Sequence, residues 1–261
     1  MRYLLFLFCM LLSPFSSHAS PVTTITLAYS DVESFPFQMG NGNLVAEPPG
    51  VSVDVIEQAA RLLNIKINYV RLPGKRVLSQ IKANQVDGGF IFSYSQERAQ
   101  YARYPMKDQQ ADHTLRIATL DYYFYKLKEQ PFAWDGVQLS SIGGVPVGAH
   151  TGFSIAKKLK ESDVNTIEIG STEKLFEMLG KRRLTAIAIQ SNIASSYINE
   201  HHLSSVERVS PPISTKDYYL IFSHEFAEAN PQLVQNIWEM IGLIRDDVID
   251  TSIKKYLIGT E

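Results

Sequence analysis

Six histidines invite a search for a metal centre, and their spacing ends it. His201 and His202 are adjacent, so on a helix or a strand their rings point different ways. His113, His150 and His224 have no partner at ligand spacing and read as structural or surface residues; the expected metal and cofactor content is none. Covalent and nucleotide chemistry are no better served. The chain has no Gly-x-Gly-x-x-Gly, no phosphate loop, no Gly-x-Ser-x-Gly elbow and no His-Glu-x-x-His. Polar groups at the ends of apolar segments are what it does offer: Ser93 and Arg98 after one, Thr151 and Gly152 after another, Gln190 closing a third. Taken singly, Arg98 reads as a solvated surface residue and Thr151-Gly152 as an ordinary turn from strand to helix.

The segments that carry these groups alternate in period. Residues 24–30 place Ile25, Leu27 and Tyr29 on one face, as a strand does. A Gly-, Asn- and Pro-rich stretch over 31–49 reads as loop. Helical spacing follows over 53–63, a strand over 65–72, a helix over 75–84 and a buried strand over 86–93, with Ser95 able to cap a short helix. The order then repeats: strands at 146–150, 166–169 and 184–190, with helices at 153–160 and after Ser171. Two such units predict two α/β lobes, each with helices on both faces of its sheet. The aromatic run 122–125 reads as strand packing, and helices at 231–245 and 251–257 close the chain. No Gly/Ser linker separates the halves, so strand crossovers must join them as a hinge.

The ends and the composition bound the setting. Arg2, a run of about ten apolar residues and Ser17-His18-Ala19 read as a signal peptide cleaved after residue 19. The other reading of that run, a membrane anchor, is disfavoured by its length, since a span needs roughly 20 residues. Cys9, the only cysteine, falls inside the run and lacks the small residues of a lipoprotein site, so the mature chain is expected to be free of cysteine. With 25 basic and 27 acidic residues, nothing draws the chain to nucleic acid or an anionic membrane.

Certain blocks, in order, are similar to a known family. PGVSVDVIE at 49–57 and LNIKI at 63–67 are followed by IKANQVDGGF at 81–90 and SYSQER at 93–98. Later come GVPVG at 144–148 with Thr151-Gly152, GKRRLTA at 180–186 and IKKY at 253–256. Together they resemble the extracellular solute-binding proteins of family 3, the polar amino-acid binders of ABC importers. The resemblance implies a two-lobed periplasmic-binding-protein fold: two mixed sheets flanked by helices and joined by a two-strand hinge. It places lobe 1 at 22–111 and 217–261, and lobe 2 at 112–216. It also implies a monomeric periplasmic protein that serves a membrane permease of an ABC importer and binds a small molecule.

Residue by residue, Arg98 matches the arginine that grips a ligand carboxylate, a task suited to two parallel charge-assisted hydrogen bonds. Ser93 matches a second contact to that carboxylate, and Asp31 a polar position of the first lobe. Phe35 lies in the loop where the family stacks an aromatic ring, although strict spacing puts Ser34 in that slot. Thr151 and Gly152 open a second-lobe helix, whose free N–H groups favour an anion. Arg76, beside Lys75, is a further cation for the cleft mouth or a solvated helix start. One position departs from the pattern. Gln190 stands where amino-acid binders carry an aspartate for the ligand's ammonium, so a carboxylate without an ammonium, or a ligand held by neutral hydrogen bonds, fits better than an α-amino acid. Two alternatives share the scaffold: a cyclohexadienyl dehydratase-like enzyme, whose general acid must come from Asp31 or Glu33, and a sensor that presents its ligand to a membrane receptor.

Overall fold

The computed structural model describes residues 23–141 and 144–257. The leader expected at 1–19 lies outside them. Strand β1 (Thr24–Ser30) is the heart of the first lobe, with Ile25, Leu27 and Tyr29 fully buried. It pairs in parallel with β2 (Lys66–Leu72) on one side and β3 (Gly88–Ser93) on the other. Between them run α1 (Val51–Leu62) and α2 (Gly74–Lys82), each burying one apolar face. Helix α1 starts two residues before the expected position. Gly50 has no side chain to cap it, and the N–H groups of Val51 and Ser52 instead donate to the Pro36 and Phe37 carbonyls of the preceding loop. As expected, Ser95 caps α3 (Gln96–Ala99), accepting from the Arg98 N–H at 3.2 Å.

Short pieces follow: β4 (Ala102–Arg103), the hairpin of β5 (Met106–Lys107) and β6 (Gln110–Ala111), and a 3-10 turn at His113–Leu115. The chain then crosses on β7 (Ala118–Leu127) and makes a hairpin of β8 (Phe132–Trp134) and β9 (Leu139–Ser141). The second lobe repeats the first. Parallel strands β10 (Val147–His150), β11 (Thr166–Ile169) and β12 (Ala186–Gln190) alternate with α4 (Ser154–Glu161), α5 (Thr172–Gly180) and α6 (Ser191–Glu200).

Strand β13 (Val206–Ser223) returns the chain to the first lobe, pairing with β7 from Val206 to Tyr218 and with β3 from Tyr218 to Phe222. The two halves are therefore one curled ladder in the order β11-β10-β12-β7-β13-β3-β1-β2, with β4 beside β13. The two hinge strands hydrogen-bond to each other and so splice the sheets. After α7 (His224–Ala229), a single helix α8 (Pro231–Leu257) ends the described chain, where a break near 246–250 was expected. That stretch holds no Gly or Pro, and the Thr251 hydroxyl donates back to the Asp247 carbonyl, so nothing interrupts the turn.

Arg71 of β2 fixes the loop that reaches the site. It is only 2% exposed, and its guanidinium donates to the carbonyls of Ser30, Met39, Gly40 and Leu44 at 2.6–3.3 Å. It also lies 5.1 Å from the centre of the Tyr29 ring. Arg71→Met leaves those carbonyls without their donor, and we expect a loss of about 3 kcal/mol in urea unfolding. A change below about 0.5 kcal/mol, the level of an ordinary surface substitution, would contradict this role.

Candidate functional site

The carboxyl ends of β1, β3, β10 and β12 meet where the lobes face each other, the position at which open α/β sheets present their binding groups. Arg98 projects from α3 into this junction and is 8% exposed. Its Nη1 donates to the Ser93 carbonyl at 2.9 Å and to Ser93 Oγ at 3.2 Å, and its Nη2 reaches the Gly152 carbonyl of the second lobe at 3.4 Å. Among the described residues Arg98 forms no ion pair with a carboxylate. Ser93 Oγ donates in turn to Ser154 Oγ at the start of α4, at 3.3 Å.

The facing wall is neutral. Ser34 Oγ donates to Gln190 Oε1 at 3.2 Å, and Gln190 Nε2 donates to the Tyr218 hydroxyl at 3.0 Å. Asn192 Nδ2 holds Ser34 Oγ at 2.9 Å and the Phe35 carbonyl at 2.8 Å, tying the first-lobe loop to α6. Burial raises the phenols of Tyr122 and Tyr218, so both stay protonated and act as hydrogen-bonding groups. The enclosed cavity is about 30 Å³, and among the described residues no Asp or Glu lines it. That is room for about one water, so a solute enters only when the lobes part. It must then replace the interlobe bonds of Ser34, Ser93 and Arg98, each worth about 1 kcal/mol or somewhat more.

Two open grooves flank the cavity. One, about 1100 Å³, shares Arg98, Gly152, Phe153 and Ser154 with it and is rimmed by Lys75, Lys157, Lys158, Lys160 and Lys216. The carboxylates there are already taken: Glu97 by Lys157, Glu161 by the same lysine at 3.7 Å, and Glu168 by Lys75 at 2.9 Å and Lys160 at 2.8 Å. Burial opposes ionisation of Glu168, but its hydrogen bonds from Lys160 and Lys75 outweigh that and hold it at about 2. The other groove, about 570 Å³, contains Asp31, Glu33 and Phe35 together with Glu173, Tyr197 and Glu200.

The structure thus brings Arg98, Ser93, Gly152 and Gln190 together at the cavity. It places Asp31 and Phe35 on the second groove, with Ser34, the residue of strict spacing, in the cavity wall. Thr151 does not line the cavity; its carbonyl faces Gly74 of the first lobe. Gly152 has φ +81°, and the backbone of Gly74 and Lys75 occupies the space that a side chain at this position would need. Lys75 pairs across the cleft mouth, whereas Arg76 is exposed and lines neither the cavity nor the basic groove. Sequence reasoning missed Ser154, Asn192, Lys216 and Tyr218, and it read Tyr122 as packing although the ring also lines the cavity.

His150, just before the Thr151-Gly152 turn, is 1% exposed, with Nε2 3.1 Å from Thr172 Oγ1. Burial lowers it to about 4, below the ordinary value of 6.5. Between those values the unfolded chain binds the extra proton, so stability is full above pH 6.5 and falls as pH drops toward 4. The loss is on the order of 3 kcal/mol. Urea unfolding from pH 7.5 to 4 should show this decline, and His150→Asn should remove most of it above pH 4.5, where Glu168 has not yet begun to contribute. An identical decline in the variant would contradict the assignment.

No protein-family model matches the sequence, and no curated protein does so significantly. Solved structures match its fold throughout: this is the two-lobed architecture of periplasmic binding proteins. The ligand-binding core of GluR0 from Nostoc punctiforme, in complex with L-glutamate, is 19% identical, with TM-score 0.66 over 88% of this chain and 96% of that one. A histidine kinase sensor domain similar to periplasmic binding proteins is 15% identical, with TM-score 0.71 over 90% and 95%. An amino acid ABC transporter substrate-binding protein from Streptococcus pneumoniae, bound to L-arginine, is 12% identical, with TM-score 0.69 over 91% and 95%. Among the described residues no helix is long and apolar enough to cross a membrane, and no cluster of His, Cys, Asp or Glu forms a metal site.

Proposed function

We propose that this chain is a periplasmic solute-binding protein of family 3 that captures a small carboxylate-bearing molecule between its lobes for ABC-type uptake. One observation carries the proposal. Arg98 is a buried guanidinium with no carboxylate partner among the described residues, held where the two lobes meet and already bonded to both. A charge kept there is costly unless an anion joins it. Capture is then a shift toward the closed population, because only the closed form offers both sets of contacts. The family resemblance and the ABC-transporter binding protein among the structural matches support the transport role. The sensor domain among those matches supports a second reading, in which the same closure is presented to a receptor. An enzymatic role is disfavoured because, among the described residues, no carboxylate lines the cavity to act as general acid, and both Asp31 and Glu33 sit on the flanking groove.

Thermal unfolding against a panel of amino acids, dicarboxylates, keto acids and small peptides tests this. A ligand at 100 times its dissociation constant adds about 2.7 kcal/mol, which raises the midpoint of a chain this size by roughly 5–10 °C. With amines, amides and polyols added as controls, a response only to compounds that lack a carboxylate would overturn the carboxylate reading, as would a panel in which nothing acts.

A further inference from the structure

The residues around the cavity, with Lys216 of the adjoining groove reaching the cavity wall through Ser154, also constrain what else the ligand carries. Arg98 donates to Ser93 Oγ, Ser93 Oγ to Ser154 Oγ, and Lys216 Nζ to the same Ser154 Oγ at 3.1 Å. Arg98 and Ser93 belong to the first lobe, Ser154 opens α4 of the second, and Lys216 lies on the crossover strand β13. Two cations therefore converge on one pair of hydroxyls at the hinge side of the cleft. Among the described residues Lys216 forms no ion pair either, and Lys158 in the same rim is a further cation near it. Burial, and next the Arg98 guanidinium, lower the Lys216 ammonium to about 8, a sign of how poorly its charge is compensated. Ser154 also begins a helix whose first N–H groups have no side-chain cap.

The opposite wall offers no charge at all. Ser34, Gln38, Gln190, Tyr122 and Tyr218 supply neutral hydrogen-bonding groups, and an ammonium placed among them would lose water without gaining a counter-ion. We infer that the site selects a small doubly charged anion without an ammonium group, held by Arg98 and Lys216 at its charged ends and by Gln190, Ser34 and Tyr218 elsewhere. A short dicarboxylate is the plainest ligand of that class. The inference rests on the carboxylate capture proposed above and adds Lys216 as the residue that sets specificity.

Matched carbon skeletons separate the two ideas: succinate, butyrate and aspartate, then glutarate, valerate and glutamate, titrated into the wild-type protein and three variants. The dicarboxylates should bind at least about tenfold more tightly than their monocarboxylate and amino-acid counterparts. Lys216→Met should weaken the dicarboxylates by about tenfold or more and leave the monocarboxylates unchanged, whereas Lys216→Arg should keep the preference. Unliganded unfolding midpoints, measured beside the titrations, check that both variants are folded. Amino acids that bind as well as the dicarboxylates overturn the inference and leave carboxylate capture standing. So does a dicarboxylate preference that Lys216→Met does not alter, or a failure of all six compounds while another carboxylate of the wider panel binds. Binding that Arg98→Ala does not weaken overturns the capture reading itself.

Discussion

Arg98→Ala should remove most or all of the ligand-induced rise in unfolding midpoint while leaving a folded protein. Truncating one side of a buried, hydrogen-bonded charge pair costs about 2–5 kcal/mol, a loss of roughly 30- to 4000-fold in affinity. A ligand that saturates the wild type at 100 times its dissociation constant then sits near or below the new one. It adds at most about 1 kcal/mol, against about 2.7 before. The fold survives for a specific reason. The Ser93 carbonyl that Arg98 serves also accepts from the Tyr104 hydroxyl at 2.9 Å, so it keeps a donor. The unliganded midpoint should therefore move little. If the variant responds to carboxylates as the wild type does, Arg98 is not the anchor.

Gly152→Ala should cripple closure without harming either lobe. A Cβ there would stand 2.8 Å from the Lys75 backbone nitrogen and 3.2 Å from the Gly74 carbonyl carbon, so a change of rotamer gives no relief. Parting the lobes does. The φ of +81° adds a strain of about 1 kcal/mol in any state of the cleft. We expect ligand affinity to fall by at least about tenfold, with stability lower by about 1 kcal/mol. Gly74→Ala is the control on the same contact, because its Cβ would meet the Thr151 carbonyl at an ordinary 3.6 Å. Equal affinity in both variants would show that ligand binding does not need this close approach.

Much of the fold was legible because each lobe is built from local patterns. The alternation of Ile25, Leu27 and Tyr29 along β1, the amphipathic α1 and α2, and the Ser95 and Ser171 caps all follow from neighbours in sequence. What was not legible depends on contacts distant in sequence. Strand β13 is 18 residues long and pairs with partners in both halves, so the single ladder is invisible to any local period. Lys216 escaped notice for the same reason. It stands near the middle of a polar stretch, and only the crossing of β13 beside the cleft gives its charge a place to act. A strand that joins two lobes must pass their junction, so a lone lysine beside a hinge is a signal that could have been used. In the 31–50 loop, Ser34 and Phe35 are adjacent, and which one faces the cavity is decided by Asn192, 158 residues away from Ser34. Gln190 was readable because the end of a buried strand fixes where its side chain points.

Calorimetric titration of the wild-type protein with a carboxylate that raises its midpoint is the most direct measure of capture between the lobes. One ligand per chain and a negative heat-capacity change are predicted, since closure takes Phe90, Phe92 and Phe153 around the cavity out of water. Several weak sites with no heat-capacity change would contradict it, since anions would then bind exposed lysines without closure of the lobes.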